Sequence, residues 1–255
     1  MYYLIQENLY RDFHEEHLID TLQKMDLDFE LFKIIPFTEE LKLKTNRKDI
    51  MVFGAVKASH LAKNYNWYPG SFYNENHDYT IYSKYYRENM LNWDSTIQKF
   101  GDPVNIDTDF FVRPTGDNKY FKGEIYSKEN WDYFVNFSLA NGHSNSLNYN
   151  TPIQICPYKE IYQEYRSFIV KGKVIETSMY KLGIRSIRKR CIDQEIIDFA
   201  QSMVDLYQIS DAFVMDICRC ESGLKIVECN CINSAGFYDI DMCKLIFSLE
   251  ENFNI

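Results

Sequence analysis

Neither a G-x-x-x-x-G-K-[ST] loop nor a G-x-G-x-x-G turn occurs in this 255-residue chain, which removes the two common glycine-rich phosphate cradles. No serine or cysteine sits in a nucleophile motif, so covalent catalysis has no obvious carrier. The HEEH run ending at His17 spaces its histidines three apart. That is not the H-E-x-x-H zinc pattern, and it reads as an exposed helix face. No apolar run approaches the length of a membrane span, and the opening MYYLIQENLYRDFHEEH lacks a charged segment followed by an apolar core. The expectation is a cytoplasmic protein with no membrane partner. Positive charge is scarce as well. With 28 Lys and Arg against 37 Asp and Glu, the formal charge is −9, which argues against bulk nucleic-acid binding through backbone phosphates but leaves room for a local basic pocket. Repeats and low-complexity tracts are absent.

What is present is an ordinary hydrophobic share of 45% and a high aromatic share of 16%, enough for a substantial core in one large domain or two small ones. Seven cysteines, an odd number in apolar contexts, read as reduced structural thiols. The first hundred residues alternate strand and helix signals: Met1–Ile5, a helix over Phe13–Met25, then Phe29–Pro36 and Asp49–Gly54 as strands. From Gly54 a helical stretch runs to Ala62, which places a turn at the end of a strand, a common ligand-facing position in open α/β sheets. Periodicity says little from Asn64 to Asn92, where tyrosines between Tyr65 and Tyr86 suit either an aromatic binding wall or packing. A boundary is expected near Trp93–Asp102, dividing the chain into residues 1–98 and 99–255.

Beyond it, Asp109–Arg113 is a strand ended by Pro114, with Lys119–Ile125 as its hairpin partner. Ser127 caps a helix through Leu139. Ile153–Cys156 is a short strand, and Gln163–Val170 with Lys173–Tyr180 form a hairpin about Lys171-Gly172. Ile192–Tyr207 is amphipathic, and a last helix begins near Tyr238. The basic run Gly183–Arg190 reads as a solvated loop or as a flap over phosphates or an acidic substrate. The architecture is α+β, with antiparallel hairpins and packed helices.

The segment Asp211–Tyr238 is the most informative. Two apolar runs flank Glu221-Ser222-Gly223, the pattern of a hairpin closed by a left-handed glycine. If Cys220 faces Leu224, Asp216 lies opposite Glu228, and Asn230 shares the face of Glu228 by the two-residue period of a strand. Three oxygen donors on rigid strands suit Mg²⁺. The same parity puts Cys218 and Cys220 on the face of Asp216 but Cys229 and Cys231 on the other, which argues against a four-cysteine zinc site. Upstream, Arg113 in FFVRP with Lys119 and Lys122 forms a cationic cluster, and Glu164 with Arg166 forms a mixed one. Taken singly, each cluster also reads as a solvated face or a structural ion pair. Together they match the cations and metal carboxylates that a magnesium-bound nucleoside triphosphate requires.

Over Phe110–Tyr238 the order and context of these clusters resemble the ATP-grasp superfamily. FFVRP is similar to its phosphate-binding strand, with Arg113 where the family has lysine and Lys119 following, as in a clade found in phage and bacterial genomes. EYRSFIVKGKVIETSMYK resembles its glutamate–x–arginine hairpin, and VMDICRCESGLKIVECN its metal-binding pair. NSAGFY resembles its substrate-side loop, and VFGAVKASHLAKNYNWYPGSFYN the small pre-grasp domain. The resemblance implies two α+β lobes clasping ATP behind a small N-terminal α/β pre-grasp domain. It implies Arg113, Lys119 and Arg166 as catalytic cations, and Asp216, Glu228 and Asn230 as Mg²⁺ ligands. Ile155, Cys156 and Tyr158 would lie at the adenine, and Glu164 and Lys181 would complete the nucleotide site. The implied reaction is ATP-dependent carboxylate–amine or thiol ligation through an acyl phosphate, on small-molecule, peptide or protein substrates, with homodimerisation open. A non-catalytic nucleotide-binding module and a small-molecule kinase on the same fold are the alternatives.

Overall fold

The computed structural model of the chain describes residues 1–7, 15–35, 41, 43–117, 120–141 and 147–254. The N-terminal unit is a three-stranded parallel sheet of β1 (Tyr2–Gln6), β2 (Phe29–Phe32) and β3 (Ile50–Phe53), in the order β2-β1-β3. Helix α1 (Glu15–Lys24) joins β1 to β2, and α2 (Val56–Asn64) follows β3. Parallel strands need such crossovers, and the apolar runs of β1 and β3 are covered on both faces. Gly54 ends β3 where the backbone approaches closely: a Cβ there would stand 2.7 Å from Gln6 Oε1, which accepts from the Ala55 N–H at 3.0 Å.

The Asn64–Asn92 stretch resolves into α3 (Tyr79–Tyr86), whose buried Tyr79, Tyr82 and Tyr86 pack into a core. These three tyrosines are therefore packing residues, whereas Tyr68 and Tyr85 are exposed. Asp78 caps α3, accepting from Thr80 N at 2.8 Å.

A four-stranded antiparallel sheet follows, built of β4 (Thr96–Lys99), β5 (Phe110–Pro114), β6 (Glu124–Tyr126) and β7 (Pro152–Pro157) in the order β4-β7-β5-β6. Helix α4 (Lys128–Asn141) covers one face through Trp131 and Val135 against Phe110, Val112, Ile153 and Ile155. Ser127 caps it as expected, accepting from Asn130 N at 3.3 Å. The hairpin partner expected from Lys119 is shorter, beginning at Glu124, and β4 had no clear signal because its exposed TIQK carries no apolar alternation.

The largest sheet has five antiparallel strands: β8 (Ile161–Val170), β9 (Lys173–Leu182), β10 (Arg185–Arg190), β11 (Ala212–Cys220) and β12 (Gly223–Cys231), in the order β10-β9-β8-β11-β12. Lys171 and Gly172 both have positive φ, 46° and 75°, as a tight two-residue hairpin turn requires. The basic run is thus an exposed edge strand rather than a loop, held by pairing to β9. Helix α5 (Gln194–Leu206) and α3 cover one face, packing Ile196 and Ala200 against Phe213, Met215, Ile217 and Cys229. The final helix, α6 (Met242–Phe253), begins four residues later than expected because Asp241, not Tyr238, caps it. With α1 and the parallel sheet it packs Tyr3, Phe53, Phe237 and Leu249 against Phe168, Val170, Ala212 and Val214 on the sheet's other face. Each such side chain contributes roughly 1.5–3 kcal/mol by leaving water. Among the described residues no helix is long and apolar enough to cross a membrane.

Candidate nucleotide and metal site

The site begins where that second core stops. On β8 the period of two runs Val170, Phe168, Arg166, Glu164, and on β11 it runs Ala212, Val214, Asp216. One face therefore changes from apolar to charged within two residues on neighbouring strands, and Arg166 stands directly opposite Asp216 in the register. The pair is bidentate: Arg166 Nε donates to Asp216 Oδ1 at 2.8 Å and Nη2 to Oδ2 at 2.7 Å. Both groups are buried, at 8% and 1% exposure.

Asp216 also faces Glu228 on β12, as the hairpin reading expects. The route there differs. Cys220 pairs with Gly223, not Leu224, so the hairpin closes one residue tighter, on Gly223 at φ 93°. A bulge between Ile217 and Asp216 then leaves Val227 unpaired and restores the register at Glu228. As a result Ile226 and Cys229 both join the α5 core, while Val227 packs with Cys218 and Cys220. The two cysteine pairs are thus split as parity predicts, at least for Cys218, Cys220 and Cys229. Asn230 Nδ2 donates to Glu228 Oε1 at 2.8 Å, and Arg113, buried on β5, forms an ion pair with Glu228 Oε2. That contact ties the four-stranded sheet to the five-stranded one.

A second bulge lies on β9. Tyr165 pairs with Met179 and Glu164 with Lys181, so Tyr180 is the extra residue. Consecutive side chains then reach one carboxylate: Tyr180 Oη donates to Glu164 Oε2 at 2.8 Å and Lys181 Nζ to Oε1 at 2.5 Å. Tyr180 was not anticipated, nor was Tyr238, because a bulge and a left-handed backbone leave no periodic trace. Arg113, Arg166, Asp216, Glu228 and Asn230 thus converge, with Glu164 and Lys181 beside them. Lys119 lies outside the described residues. The expected adenine residues stand apart from this cluster: Ile155 is buried in the α4 core, Cys156 is buried near Ser95 and Lys159, and Tyr158 is exposed.

Electrostatics follow from burial. Asp216 is pushed up to about 6, because burial outweighs the arginine facing it. Burial works against the charge of Arg113 and Arg166 too, yet the neighbouring carboxylates more than offset it, and both stay protonated. Burial, then the charges of Asp216 and Glu164, raise Tyr180 well above the usual phenol value, so it stays a neutral donor.

The donor chemistry at the centre is oxygen only: two carboxylates and an amide. It suits a hard cation. No group of three or more His, Cys, Asp or Glu able to hold a metal occurs among the described residues, so a cation here would need Asn230 and oxygens from outside the protein. That fits Mg²⁺, which keeps few protein ligands and shares phosphate oxygens.

Residues 54–249 match a family model described as an ATP-grasp domain, the third family of its clade. The chain belongs to the ATP-grasp family. The match takes in α2 and α3 as well as both antiparallel sheets. No curated protein sequence matches the chain. Among solved structures, this ATP-grasp fold is similar to the D-cycloserine synthetase DcsG, at TM-score 0.59 and 11% identity over 98% of both chains. It is similar also to the D-alanine–D-alanine ligase of Bacillus anthracis complexed with ATP (TM-score 0.63, 13% identity, 98% of this chain and 96% of that one). A third is the ATP-grasp ligase PsnB complexed with a precursor variant, Mg and ADP (TM-score 0.57, 14% identity, 98% and 96%). At these identities the likeness is one of fold. Two α+β lobes and a small N-terminal α/β unit make up that fold in this chain.

Proposed function

We propose that this ATP-grasp protein is an ATP-dependent ligase joining a carboxylate to an amine or, alternatively, a thiol. The observation that carries the reading is the pairing of two buried arginines with two carboxylates, Arg113 with Glu228 and Arg166 with Asp216, one pair bridging the two sheets. Opposed charges at one point suit a triphosphate and its metal, and the structural neighbours include complexes with ATP and with Mg and ADP. Residues 1–98 are taken as a pre-grasp domain and 99–255 as the nucleotide-clasping part.

In this reading Arg113, Arg166 and Lys119 hold phosphate oxygens, with arginine at Arg113 replacing the lysine of other ATP-grasp proteins. Lys181, oriented by Glu164, reaches the γ-phosphate or the substrate carboxylate. The backbone near Ile155, Cys156 and Tyr158 meets the adenine. Asp216, Glu228 and Asn230 hold Mg²⁺, which when bound supplies neutralisation of adjacent phosphate charge. A substrate carboxylate oxygen attacks the γ-phosphorus and ADP leaves. The amine nitrogen then attacks the acyl carbon, phosphate leaves, and the amine loses a proton. Phosphoryl transfer of this kind needs positioning and charge compensation rather than a protein nucleophile.

The test is calorimetry with Mg-ATP followed by ADP release across a pooled amino-acid and peptide panel. Asp216→Asn and Glu228→Gln, which keep the size of the side chain but remove its charge and one of its two acceptor oxygens, are expected to lower turnover by about 10²-fold or more. Unchanged turnover in either sinks the metal assignment. Nucleotide binding with no ADP release from any pool favours a non-catalytic ATP-binding module.

A further inference from the structure

Arg166 is held on more sides than an ion pair needs. Besides Asp216, its Nη1 donates to the Gly236 carbonyl at 3.3 Å. Its guanidinium carbon lies 5.1 Å from the centroid of the Tyr238 ring and 5.7 Å from that of Tyr180. Those two rings stack on each other, 4.8 Å apart and 8° from parallel. Tyr238 makes this contact from a left-handed backbone, φ 53°, which a tyrosine adopts only when its surroundings demand it. The preceding Phe237 is locked in the core against Phe53 and Phe168, at 5.5 and 6.2 Å between centroids. The turn at Tyr238 therefore separates a core anchor from a ring placed at the charged site.

We infer that Tyr238, with Tyr180 stacked on it and also in contact with the guanidinium, is a positioning residue that holds Arg166 in place while its hydrogen-bonding partner changes. This deepens, and rests on, the nucleotide-site reading above. In the structure Nε and Nη2 of Arg166 are committed to Asp216 and Nη1 to the Gly236 carbonyl. If Asp216 turns its oxygens toward a cation, the arginine must give up that partner and offer its fork to a phosphoryl group. A ring face stabilises a guanidinium without accepting its N–H groups, so the aromatic pair keeps the cation in position and leaves its donors for the incoming oxygens. A carboxylate in the place of Tyr238 would compete for those donors.

The experiment measures affinity for the non-hydrolysable β,γ-imido analogue of ATP with Mg²⁺ by calorimetry, with thermal unfolding midpoints confirming that each variant folds. Tyr238→Leu is expected to weaken binding by about tenfold, the scale of a desolvated cation–π contact. Tyr238→Phe, which keeps the ring, is expected to recover most of that loss. In an Arg166→Gln background, Tyr238→Leu is expected to add nothing. Arg166→Met, which also lacks the charge, replaces Gln if that variant does not fold. Binding by Tyr238→Leu within twofold of the unmodified protein, failure of Phe to recover it, or an equal loss in the Arg166→Gln background overturns the positioning role. If Arg166→Gln alone leaves affinity unchanged, the nucleotide-site reading fails, and the proposal with it.

Discussion

The buried Arg166–Asp216 pair makes a stability prediction that is independent of any ligand. Removing one partner of a buried pair leaves the other charged and desolvated, which costs about 3–5 kcal/mol. Asp216→Ala should pay that cost near pH 8, where the carboxyl it removes is charged, because arginine cannot release its proton. Arg166→Met should behave differently. Asp216 is already pushed up to about 6 with the arginine present, and the arginine acts to lower it. Without Arg166 the folded carboxyl lies higher still, whereas in the unfolded chain it titrates near 3.9. Between those values the folded state binds the extra proton, so stability falls as pH rises through the window, by at most about 1.4 kcal/mol per pH unit. The Arg166→Met deficit should therefore be small near pH 5 and approach that of Asp216→Ala near pH 8. The double variant should be less destabilised than the sum of the singles at pH 8 by about 2–3 kcal/mol. Urea unfolding followed by tryptophan fluorescence at the two pH values measures all of this. Additivity within about 0.5 kcal/mol, or an Arg166→Met deficit equal at both pH values, refutes the reasoning.

Two further outcomes follow from buried polar groups. Burial holds the His77 imidazole down to about 4, and its Nε2 has no hydrogen-bond partner. The unfolded chain binds that proton first, so about 3 kcal/mol of stability is present above pH 6.5 and is lost as pH falls from there toward 4. His77→Gln should flatten that acid limb in a urea series, and an unchanged slope would rule His77 out as its source. Ser138 Oγ, buried in α4, also lacks a partner. Ser138→Ala should raise stability by about 0.5–1 kcal/mol, seen as an unfolding midpoint higher by roughly 1–3 °C, and a lower midpoint would show that the hydroxyl is satisfied.

How much of this was legible beforehand depends on how local the determining interaction is. The alternation in QEYRSFIV and AFVMDICRC places Arg166 and Asp216 on the faces of Phe168 and Val214 whatever the neighbouring strands do, since adjacent side chains of an extended chain must point apart. Asp216 opposite Glu228 was readable too, but through a premise that was one residue off. The bulge at Val227 compensated for it, and a bulge is chosen by the packing of Ile226 and Cys229 against α5, contacts between residues far apart in sequence. For the same reason β10, whose charged residues carry no alternation, reads as a loop until β9 is there to pair with it.

Composition and local order in this chain were therefore sufficient to decide most element types, β4, β10 and α3 excepted, together with the α+β class and the set of oxygen donors on one strand face. Tertiary structure alone decided which charges meet. Arg113 reaches Glu228 across 115 positions of sequence, Arg166 closes on Asp216 across 50, and Tyr238 turns its ring onto both Tyr180 and the arginine. Ion pairs and ring stacks act over a few ångströms of space, and no pattern along the chain records which distant residues the fold will bring that close.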